Sequence, residues 1–63
     1  MKEREEAVLR SAWEFEKNHK IKVRNFWNWD ANTRTAFIQY VVGKTYIGWD
    51  RAKLFLGVGK KPR

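Results

Sequence analysis

Ten aromatic side chains, four of them tryptophan, are the main core-building material of a chain of 63 residues that contains no cysteine. Without a thiol there is no disulfide, cysteine zinc site or thiolate nucleophile, and the single histidine cannot hold a metal alone. A domain of this size sits near the lower limit of unaided folding. Each buried ring removes roughly 150–250 Å² from water, so the choice of inward-facing rings decides the fold.

From Lys20 to Trp49 the sequence reads as a three-stranded antiparallel meander. Asp30-Ala31-Asn32-Thr33 and Gly43-Lys44 carry turn residues, Asp and Asn for a type I turn and Gly for a primed hairpin turn. The first turn pairs Phe26 with Phe37 and Arg24 with Gln39; the second pairs Val41 with Tyr46. Both registers put Ile21, Val23, Trp27, Trp29, Ala36, Ile38, Tyr40, Val42, Ile47 and Trp49 on one side. A slip of one residue would send that set to solvent.

A helix is expected from Lys2 to about Lys17, with Glu3, Glu5 and Glu6 at its positive end. Val8, Leu9, Ala12, Trp13 and Phe15 form its apolar arc, so Trp13 reads as core, and Asn18 suits a left-handed end. A short helix from Asp50 to Leu56 stops at Gly57. The expected fold is α+β in α-β-β-β-α order, both helices packed on one face of the sheet. Residues 1–57 form one compact domain, and 58–63 a basic flexible tail. The alternative is an all-α three-helix or helix-turn-helix arrangement, because Ala36, Phe37, Tyr40 and Val41 also fit helical spacing. The β-branched run around Ile38 to Val42 favours strand.

Charge is segregated. Residues 1–16 hold three basic and five acidic side chains, whereas residues 17–63 hold eleven basic and two acidic, for a formal net charge of +7. Such asymmetry points to an anionic partner. No apolar run approaches a membrane span and the acidic start is not a signal peptide, so an intracellular location is expected, with no membrane partner. Catalysis finds no support: His19 has no nucleophile beside it, Gly43-Lys44-Thr45 lacks the upstream glycines of a phosphate loop, and no cofactor or metal is implied.

The open face of the expected sheet mixes cations, an amide and rings, the composition of a nucleic-acid-binding surface. Arg24 and Gln39 are placed to read bases in a major groove, with Asn28 and Thr35 continuing the row. Lys20, Lys22 and Lys44 sit over phosphates, Phe26, Phe37 and Tyr46 offer stacking surfaces, and Lys60, Lys61 and Arg63 close over the backbone. The expected function is therefore a small, non-enzymatic nucleic-acid-binding module that prefers DNA. The layout resembles the arm-binding domains of phage integrases at fold level, over about Val23 to Leu56, without a diagnostic motif. Its element order resembles double-stranded-RNA-binding domains, which makes RNA an alternative target. A second alternative is a protein-interaction module or homodimer, docking through an exposed Phe26-Phe37-Val41-Tyr46 patch.

Overall fold

Where three strands are expected, the chain is helical. The computed structural model describes residues 2–61 and contains helix α1 (Lys2–His19), a 3₁₀ segment (Val23–Asn28), α2 (Ala31–Thr45) and α3 (Trp49–Leu56). There is no strand among the described residues, so the three-stranded antiparallel sheet is corrected to an all-α fold. Gly43-Lys44, expected to turn a hairpin, lies inside α2, and Asp30-Ala31-Asn32-Thr33 starts that helix.

Burial explains the outcome. The sheet would have left Phe26, Phe37 and Val41 facing water, whereas the helical chain buries all three, to 2%, 0% and 0% exposure. Burying a side chain of this kind stabilises by about 1.5–3 kcal/mol. Helix propensity penalises a β-branched or aromatic residue by ~0.7 kcal/mol at most. Three buried side chains therefore outweigh the run from Ile38 to Val42. Helices also satisfy their backbone internally, while a three-stranded sheet leaves two bare edges.

Each helix has a recognisable start or stop. Asp30 is the extended N-cap of α2; its carboxylate accepts the Thr33 hydroxyl, and its carbonyl accepts the Arg34 amide at 3.1 Å. Gly57, at φ 74°, ends α3 with its amide on the Leu54 carbonyl and the Val58 amide on the Lys53 carbonyl. That pair of bonds is a Schellman motif, and it folds Val58 into the core at 7% exposure. The Ile21 amide likewise returns to the Glu16 carbonyl at 3.1 Å, with Lys20 left-handed at φ 55°. Lys20, rather than Asn18, makes the turn out of α1.

On α1 the buried stripe is Val8, Ser11, Ala12 and Phe15, spaced as one helical face. Ser11 tolerates burial because its hydroxyl donates to the Val8 carbonyl at 2.9 Å. Leu9 and Trp13 lie round the helix from that stripe and stay 44% and 57% exposed, so the expectation that Trp13 is core is corrected. α1 packs more extensively on α2 than on α3, and this limits the width of the stripe they cover. Trp27, Trp29 and Trp49 are half-buried around the core rather than inside it.

Phe15, Phe26 and Phe37 fill the centre, with Trp29 against all three at centroid separations of 6.2, 5.3 and 5.3 Å. Arg34 fastens the 3₁₀ segment to α2. Its guanidinium donates to the Trp29 carbonyl and lies 5.6 Å from the centroid of the Trp27 ring. On the other side, the Tyr40 hydroxyl donates to Glu14 Oε1 at 2.9 Å and joins α2 to α1.

Candidate nucleic-acid interface

Buried rings cannot stack on bases. Phe26 and Phe37 are interior residues, so the stacking role expected of them is corrected. With Val41 also buried, the expected Phe26-Phe37-Val41-Tyr46 docking patch does not exist; only Tyr46 is exposed, at 92%. The reading of bases by Arg24 and Gln39 on adjacent strands lapses with the strands. Arg24 is exposed in the 3₁₀ segment, while Gln39 and Thr35 are exposed one turn apart on α2. Asn28 is exposed at the end of the 3₁₀ segment.

The remaining expected residues divide between two regions. Lys20 and Lys22 line a depression of about 400 Å³ whose far wall is Trp13 and Glu16. Arg24 and Lys60 line an adjoining groove of about 510 Å³ that shares the same Trp13 and Glu16. Lys44 instead borders a groove with Glu3, Glu6 and Glu14, and Tyr46 stands at the α2–α3 turn near Arg4 and Arg51. Lys61 is exposed beside Lys60, and Arg63 lies outside the described residues.

One face therefore gathers cations around an exposed indole. Lys17, Lys20, Lys22, Arg24 and Lys60 line the two adjoining depressions, with Glu16 as the single carboxylate. Glu16 is engaged by the 3₁₀ segment, accepting the Val23 amide on Oε2 at 2.6 Å. Among the described residues the only ion pair is Lys53 with Asp50 at 4.0 Å, on α3, so none of the five cations is neutralised by a partner. The Lys17 ammonium lies 5.0 Å from the centroid of the Trp13 ring. The α1 terminus supports this clustering, because the Schellman turn at Lys20 sends the chain back past Trp13.

Sequence reasoning missed Trp13 and Lys17, assigning the first to the core and the second to a helix end. The signal was available: Trp13 is 140° round an ideal helix from Val8 and four residues before a lysine.

The α2–α3 connection of Tyr46, Ile47 and Gly48 has the length of a helix-turn-helix turn. The first turn of α3, however, presents Asp50 with a fully exposed side chain, which would meet phosphates with like charge. His19 stacks on Phe15 with ring centroids 4.0 Å apart and donates from Nδ1 to the Phe15 carbonyl, a structural arrangement. Among the described residues no group of three or more His, Asp or Glu side chains could hold a metal, and no helix is long and apolar enough to cross a membrane. Comparison with known protein families, curated proteins and solved structures finds no match for this chain.

Proposed function

We propose that the protein is a small nucleic-acid-binding module that contacts the phosphate backbone through the Trp13 face. The carrying observation is the convergence of Lys17, Lys20, Lys22, Arg24 and Lys60 on two adjoining depressions, with no ion-pair partner among the described residues. Unpaired cations on one face are the footprint of a polyanion site, because each phosphate contact releases a condensed counterion. Glu3, Glu6 and Glu14 line a separate groove with Lys44.

Five contacts correspond to a slope of log K against log salt of about −4.5 on duplex DNA, or about −3.5 on a single strand. Filter binding between about 50 and 200 mM salt measures it. Lys22→Glu should weaken binding by about tenfold at moderate salt, whereas Lys44→Glu, beside the acidic groove, should change it little. Equal loss from the two substitutions would disconnect binding from the Trp13 face, and a flat salt response would remove nucleic acid as the partner.

A further inference from the structure

Of the four tryptophans, Trp27, Trp29 and Trp49 pack against the core, while Trp13 stands 57% exposed on α1. Its indole forms the shared wall of the two basic depressions, so a strand following the cations has to pass it. A duplex keeps its bases stacked inside and would leave this ring with little to bind. An unpaired strand has free base faces, and stacking on an aromatic side chain tolerates any base.

We infer that the face takes unpaired nucleic acid, one base lying against the Trp13 indole and Lys17, Lys20 and Arg24 meeting the flanking phosphates. This inference rests on the reading of the face as a nucleic-acid interface. The Lys17 ammonium lies over one face of the indole, 5.0 Å from its centroid, so a stacked base takes the other face and leaves the ammonium beside the strand for a flanking phosphate. The left-handed backbone at Lys20 is a second indication. Glycine makes that turn without a Cβ penalty, yet the position holds a lysine, and its exposed side chain borders the depression. The recognition is of base and phosphate, so thymidine and uridine oligomers should bind alike.

The test compares a thymidine oligomer of about ten nucleotides with an abasic oligomer of equal length and charge, by tryptophan fluorescence and anisotropy. The unmutated protein should prefer the base-bearing strand by about tenfold and show quenched emission on binding it. Trp13→Ala should erase that preference and the quenching while keeping abasic affinity and the salt slope, and Trp13→Phe should restore part of the preference. Trp13 lies outside the buried stripe, so circular dichroism should show both variants folded. Equal binding of base-bearing and abasic strands by the unmutated protein would overturn the inference and leave the polyanion interface standing. Failure to bind either strand or a duplex would overturn both.

Discussion

The rings of Phe26 and Phe37 meet edge to face, 5.8 Å between centroids and 63° apart, joining the 3₁₀ segment to α2 at the centre of the core. Truncating such a residue removes transfer energy and leaves a cavity. Phe37→Ala should cost about 3–5 kcal/mol, a large part of a small domain's stability. Tyr46→Ala should change it by less than ~0.5 kcal/mol, because that ring is 92% exposed. Urea unfolding curves of the two variants distinguish this fold from any arrangement in which Phe37 faces solvent.

Tyr40 links stability to alkaline pH. Its hydrogen bond to Glu14 raises the phenol above its ordinary value of 10.0, with partial burial and the carboxylate charge adding to the shift. The folded state then holds the proton more tightly than the unfolded state. The stabilisation is complete below the ordinary tyrosine range and is lost as pH rises through the raised value. Tyr40→Phe should flatten the alkaline fall of Tm and remove the high-pH phase of phenolate absorbance. An unchanged alkaline limb would show that the Tyr40–Glu14 bond does not form in solution.

Asp30 has the opposite sign. The Thr33 hydroxyl lowers its carboxyl below the ordinary value of 3.8; desolvation opposes this, and backbone amides and the Arg34 charge add to the lowering. That contribution is present above the ordinary carboxylate range and is lost as pH falls through the lowered value. Thr33→Val, which removes the hydroxyl donor, should make Tm less steeply dependent on pH between about 5 and 2. Calorimetry across that range measures the difference.

Backbone handedness separates three substitutions. Gly43 is within α2, and a Cβ added there would have no neighbour within 4 Å, so Gly43→Ala should stabilise by about 0.5–1 kcal/mol. Gly57 has equally open space but φ 74°, so Gly57→Ala should destabilise by about 1–2 kcal/mol. Lys20→Gly relieves the same handedness penalty and should gain about 1 kcal/mol. It also deletes a cation from the Trp13 face and should weaken nucleic-acid binding. Urea unfolding and filter binding of the same variants measure the two effects. A Lys20→Gly protein that is both more stable and a better binder would exclude Lys20 from the interface.

Several features could be read from residues alone. The acidic first turns and the Val8, Ala12, Phe15 spacing indicate α1, and Gly57 marks the end of α3. The excess of cations after residue 16 and the lack of thiols are visible in the composition. Lys20, Lys22 and Lys60 read as candidate phosphate or backbone contacts and Arg24 as a base contact, and all four line the Trp13 face. The helical character of residues 31–45 was obscured because a short apolar run satisfies a period of 2 and of 3.6 alike. Asp30 with Thr33 three residues on suits a turn and a helix N-terminus equally.

Local sequence thus determined the two terminal helices, the charge segregation and the stop of α3 at Gly57. Tertiary structure decided which rings are inside. Phe26 and Phe37 become core only when α2 lies across α1 with the 3₁₀ segment beside them, an arrangement that buries both and leaves no sheet edge. Trp13 is exposed for the same reason: α2 and α3 cover one narrow stripe of α1, and a ring on the far side of that stripe has no element left to pack against it.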